Sequence, residues 1–150
     1  MPRQRRSNHR VQAPPQDEIR SHIAPFIIPD ARDLSFSFRF FKKDHSIFDC
    51  RNQCWEFYVS FLDLMRKLHR INIADFRNSR RNSYHIHQIL WENTTHPNGF
   101  FHLDTQLQAL TPYQIEIPLG RDSGRVYGFL VDSINTFCVV WIDPDHNLFH

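Results

Sequence analysis

Two apolar runs, Val126–Val131 (VYGFLV) and Phe137–Ile142 (FCVVWI), constrain this chain more than any other feature. Between them lie Asp132, Ser133 and Asn135, which favour turns. Each run is too short for a typical helix and rich in β-branched and aromatic side chains. Both are apolar at both parities. Val126, Gly128 and Leu130 point one way and Tyr127, Phe129 and Val131 the other; Phe137, Val139 and Trp141 alternate with Cys138, Val140 and Ile142. A strand apolar on both faces needs cover on both faces, so the pair is expected as a hairpin in the centre of a sheet. Counted symmetrically about Ile134, Arg125 falls opposite Asp143 if the turn carries no bulge. Arg125, Asp143, Asp145 and His146 then crowd one end of the hairpin.

The rest of the chain supplies one domain around that hairpin. With 150 residues, fourteen Phe and only four Gly, a core filled by large aromatics is expected. Residues 1–31 read differently. They hold Pro2, Pro14, Pro15, Pro25 and Pro29 together with Arg3, Arg5, Arg6 and Arg10, the composition of a flexible basic tail, with an apolar patch at Ile23–Ile28 suited to docking. A single domain is assigned to 32–150. The first thirty residues carry five Arg against three acids, and the remainder is balanced at thirteen basic and thirteen acidic residues. Bulk charge therefore does not mark the domain as a nucleic-acid binder, and any such role must come from local clusters. No run reaches the length of a membrane span and no apolar signal-peptide core opens the chain, so no membrane partner is expected. Three Cys, an odd number, suit reduced thiols better than a disulfide framework, and point to a cytoplasmic protein.

Periodicity gives the other elements. Leu34, Phe36, Phe38 and Phe40 alternate with Ser35, Ser37 and Arg39 as a half-buried strand. Cys54, Phe57, Tyr58, Phe61, Leu62, Met65 and Leu68 recur at helical spacing within Asn52–Ile71, with Asn52 or Asp49 as cap. Asn72 suits the N-cap of a short helix to about Asn78. Tyr84–Trp91 and Gln114–Pro118 alternate as strands, and Asp104 can open a short helix between them. The order predicts an α+β fold, an antiparallel sheet packed against a helical hairpin, with a flexible N-terminal tail.

Three constellations carry possible chemistry. An Arg beside a His, as at Arg125 and His146, can neutralise phosphate charge and move a proton near neutral pH; a plain Arg125–Asp143 ion pair is the alternative. His85 and His87 share a strand face and, with His102 or His146, form the only candidate metal ligands, although no recognised ligand spacing surrounds them and ordinary strand histidines are the default. Arg66, Lys67, Arg70, Arg77, Arg80 and Arg81, followed by Tyr84, suit phosphate contacts with base stacking, or simply a solvated helix end. There is no Gly-rich phosphate loop and no GxSxG elbow, and no cofactor is expected.

The order strand, two helices, antiparallel strands, with Arg125-Val126-Tyr127 on the penultimate strand and His146 to Phe149 after a valine-rich last strand, resembles the RelE/ParE superfamily of bacterial toxins over Leu34–His150. The resemblance implies metal-independent mRNA cleavage, in which a ribose 2′-hydroxyl attacks the adjacent phosphate. Arg125 and His146 would be catalytic; Arg77, Arg80, Arg81, Tyr84, His87 and Tyr127 would bind substrate. The partners would be RNA or the ribosome, and an antitoxin protein. The sequence departs from the pattern in its neutral domain, in Phe149 where a catalytic-type Tyr is expected, and in Asp143 and Asp145 beside the site. The alternative is a non-enzymatic protein-interaction module.

Overall fold

A computed structural model describes residues 33–78, 83–120 and 123–149. The proposed tail at 1–31, Arg80 and Arg81 lie outside the described residues. Five strands form one sheet in the order β1-β5-β4-β3-β2: β1 (Ser35–Ser37), β2 (Ile86–Gln88), β3 (Pro112–Ile117), β4 (Gly124–Val131) and β5 (Thr136–Asp143). Helices α1 (Trp55–Leu68) and α2 (Ile73–Arg77) follow β1, and α3 (Thr105–Gln108) precedes β3. The fold is α+β.

The β4–β5 hairpin lies inside the sheet, flanked by β3 and β1. On one face, Val126, Leu130, Phe137, Val139 and Ile142 pack with Ile86, Ile115 and Ile117 against Phe57, Leu64 and Leu68 of α1 and Phe76 of α2. On the other, Tyr127, Phe129, Cys138, Val140 and Trp141 are covered by loop residues, chiefly Phe48, Ile89, Phe100 and Leu148. This double cover explains the two-parity apolar pattern, and each large side chain so buried contributes about 1.5–3 kcal/mol.

The hairpin is not symmetric. Pairing runs Arg125↔Asp143, Val126↔Ile142, Tyr127↔Trp141, then shifts to Gly128↔Val139 and Phe129↔Cys138. Val140 is therefore the extra residue of a β-bulge. Two consequences follow. Val140 and Trp141 both face the loop-covered side, so Trp141 does not share a face with Val139 as strict alternation predicts. The carbonyl of Val140 accepts from the Lys42 N–H at 3.0 Å. The turn itself is a single 3-10 turn at Asp132–Ile134 closed by Asn135 at φ +48°, and its register alone would not bring Arg125 to Asp143; the bulge restores the match.

The sheet is mixed, because β1 pairs with β5 in parallel, Phe36 opposite Phe137. Alternation in Leu34–Phe40 predicts a strand but carries no information on partner direction. The strand is also shorter than its pattern, since a turn at Arg39–Phe40 sends Phe40 to the loop-covered face against Phe129 (5.7 Å between rings) while Phe36 meets Phe137 on the helix-covered one (6.2 Å). Helix α1 starts at Trp55 with Cys54 as an N-cap that makes no side-chain bond, and Asp49 is instead engaged with Arg51. Asn72 caps α2 as its sequence predicts, its Oδ1 accepting from the Asp75 N–H at 2.9 Å.

Candidate functional site

Neighbouring strands set three polar side chains in a row on the loop-covered face: Glu116 of β3 opposite Arg125 of β4, and Arg125 opposite Asp143 of β5. His85, just before β2, extends the row, its Nδ1 3.9 Å from Glu116 Oε2. The same carboxylate oxygen lies 3.7 Å from Arg125 Nη2. The Arg125 side chain is 14% exposed, and its Nη1 donates to Ser123 O (3.0 Å), Ser123 Oγ (2.9 Å) and Gly124 O (2.9 Å). Those bonds hold the guanidinium fork in one orientation, which a flexible Lys in its place would not keep.

Asp143 is fully buried and accepts from Tyr127 Oη (3.1 Å), the Leu148 N–H (3.1 Å) and Asn147 Nδ2 (3.2 Å). Its bonds tie the chain after β5 to the sheet, so it serves the architecture more than the surface. Burial raises its pKa above 3.8, against the opposing pull of those hydrogen bonds. An acid with a raised folded pKa binds its proton more tightly in the folded state, so its contribution is full below 3.8 and is lost as pH rises through the folded value. Asp143→Asn is therefore expected to gain stability relative to the parent as pH rises above 3.8 in urea unfolding. Equal pH slopes in the two proteins would contradict the buried charge.

His146, beyond the end of β5, sits at φ +57°. Its pKa is held below 6.5, first by burial and then by the Arg125 charge, while Asp143 and Glu116 pull the other way. The imidazole is thus neutral near pH 7 and available as a base. His146 follows Asp143 by three residues, at the same end of the hairpin as Arg125. At the outer edge of the row, an open cavity of about 170 Å³ is lined by Leu64, Ser83, Tyr84, His85, Glu116 and Pro118.

The sequence-predicted binding residues separate into distinct places. Tyr84 lines the cavity beside His85. His87 is exposed and lies opposite Gln114, one row along from His85 on the same face. Tyr127 is 0% exposed and its hydroxyl donates to Asp143, its strand face being roofed by Phe48. Arg77 is paired with Asp132 at the hairpin tip, about 23 Å of strand from Arg125. That pairing removes it from this end of the sheet. Two residues that the sequence reading passed over, Glu116 and Ser123, complete the setting of Arg125. Glu116 was legible only through the β3–β4 register, which no local pattern reveals.

A second group was also missed. His45, from one loop, and His96 and His102, from another, surround Trp141 with ring centroids 5.1, 5.9 and 5.9 Å from the indole. His102 thus belongs over Trp141. Among the described residues no three His, Cys, Asp or Glu side chains form a group able to hold a metal ion, and no helix is long and apolar enough to cross a membrane. In comparisons with known proteins the chain matches no family model, no curated protein and no solved structure.

Proposed function

We propose that this protein is a RelE-like RNA-cleaving toxin, acting in the cytoplasm on mRNA and restrained by a partner antitoxin. The observation that carries the reading is the row Glu116–Arg125 with a neutral His146 beside it. Cleavage by an internal nucleophile needs a base for the 2′-hydroxyl proton, a cation for the phosphate and an acid for the leaving 5′-oxygen. His146 is the base, Arg125 the cation, and His85, whose Nδ1 lies 3.9 Å from Glu116 Oε2, is the acid in this reading. Tyr84 and His87 offer ring faces to an unpaired base beside the cavity. The element order also supports the reading, since one strand and two helices sharing a core precede four antiparallel strands.

The test is incubation of a defined RNA with the purified chain, with and without ribosomes. Cleavage leaving 2′,3′-cyclic phosphate and 5′-hydroxyl ends is expected, and a single 2′-deoxy substitution at the scissile position should abolish it. Cleavage that persists at the deoxy position would rule out the internal nucleophile. Expression in a bacterial host should be toxic and relieved by the cognate antitoxin.

One observation favours the alternative of a protein-interaction module. Trp55 (74% exposed), Val59 and Leu62 (64%) form an exposed apolar stripe along α1. A chain that is harmless on expression and cuts no RNA, yet loses a protein partner on Leu62→Asp, belongs to that class.

A further inference from the structure

Helix α1 turns Phe57, Leu64 and Leu68 into the core. With about 3.6 residues per turn, Trp55, Val59, Leu62 and Arg66 fall in a narrow exposed stripe on the opposite side. Among the described residues, neither apolar cluster takes up Trp55, Val59 or Leu62. Trp55 is the extreme, an indole 74% exposed at the first position of the helix. A row of large apolar side chains left in water marks a contact surface, and Trp and Arg are the residues that most often anchor one.

The order of the stripe says what fits it. Trp55, Val59, Leu62 and Arg66 step by four, three and four residues, the repeat of a paired-helix seam. The steps are the same read from either end, so the stripe matches its own copy laid antiparallel about a two-fold axis. In that register Val59 meets the partner's Leu62 at two equivalent crossings, and Trp55 meets the partner's Arg66 at each end. The charges agree with this direction. Glu56 lies beside Trp55 in the first turn, whereas Arg66 and Lys67 occupy the last. Antiparallel pairing brings a guanidinium to each Trp55 ring and each Glu56 carboxylate; parallel pairing sets Arg66 against Arg66 and Glu56 against Glu56. Asp63, the other acid of this face, is already bridged to Arg66 (2.7 Å) and Lys67 (2.5 Å) of its own helix. Arg66 spends Nε and Nη2 on Asp63 Oδ1, and a guanidinium has further N–H donors for a second carboxylate.

We propose that the protein pairs with a second copy of itself through α1, the two helices antiparallel about a two-fold axis level with Ser60 and Phe61. Helix α1 covers one face of the sheet and the Glu116–Arg125 row lies on the other, so the pairing leaves that row open. Its failure leaves the proposed cleavage reading untouched. A helix of 14 residues is about 21 Å long. A seam of that length falls below the roughly 1,200 Å² of a standard interface, in the class of reversible associations.

The test is sedimentation velocity of the full chain from about 1 μM to about 1 mM, the range of weak association. The average mass is expected to rise from one chain toward two and no further. Leu62→Asp, with its fold checked by circular dichroism, should weaken pairing by about tenfold or more, because it sets a carboxylate against Val59 at both crossings. Glu56→Arg and Arg66→Glu should each weaken pairing alone. An equimolar mixture of those two variants should restore it, since both ends then join opposite charges again. A dimer indifferent to Leu62→Asp, a mass that grows past two, or a mixture no tighter than its separate variants overturns the pairing. A chain that stays single throughout overturns it too, and assigns the stripe to a different protein.

Discussion

Gly128→Ala is expected to destabilise the domain by about 4 kcal/mol or more, at the extreme of single substitutions. Gly128 stands on β4 where the register shifts, facing the helix-covered side. A Cβ there would lie 2.1 Å from the carbonyl oxygen of Cys138 and 2.8 Å from the Phe137 ring. The oxygen belongs to the neighbouring central strand and the ring to the buried core, so neither can retreat without moving β5. Domains of this size are stable by about 5–15 kcal/mol in all. The measurement is the urea midpoint against the parent. Gly120→Ala provides the contrast: at φ +76° and with nothing within 4 Å, it meets backbone strain alone and should cost about 1 kcal/mol. Comparable losses at the two positions would mean that the close strand approach is not what fixes Gly128.

Arg125→Ala is expected to lower RNA cleavage by about a hundred- to a thousandfold, the usual consequence of removing one preorganised charge donor from a transition state. Arg125→Lys should recover little of this, because Ser123 and Gly124 hold a planar fork that an ammonium does not reproduce. His146→Ala should cost a similar factor, about a hundredfold or more. The pH dependence separates the two roles. With the His146 pKa held below 6.5, the rate should fall as the imidazole protonates at lower pH. That acid limb should vanish in His146→Ala and persist in the residual activity of Arg125→Lys. Arg77→Ala, at the hairpin tip with Asp132, should cut RNA at the parental rate. Full activity in Arg125→Ala, or loss in Arg77→Ala alone, would move the chemistry to another part of the sheet.

The sequence showed the central hairpin because burial on two faces leaves its mark at every position of Val126–Val131 and Phe137–Ile142. Asn72 was legible too, since capping is a local bond between near neighbours. The bulge at Val140 was not. No Gly, Pro or polar residue marks it in a run of apolar side chains, and it reverses the face of Trp141. The meeting of Arg125 with Asp143 was reached by counting about Ile134, but it arises from a tighter turn offset by that bulge. Tyr127 was given a binding role by the resemblance alone, and its hydroxyl bonds a buried carboxylate. His45, His96 and His102 stayed hidden because separate loops bring them together, with no spacing to signal it. The parallel pairing of β1 depends on the path of the two helices, which periodicity does not encode.

That pairing has a bearing on biosynthesis. The first strand described docks only against the fifth, Ser35 beside Thr136 with their hydroxyl oxygens 2.7 Å apart, and the central strand β4 and its neighbour β5 are the last of the five to be synthesised. A nascent chain halted before Gly124 has α1 and α2 but only the β2 and β3 part of the sheet they pack on. Such a polypeptide remains without a native core, and so without an assembled Arg125–His146 pair, until nearly all of the domain has emerged.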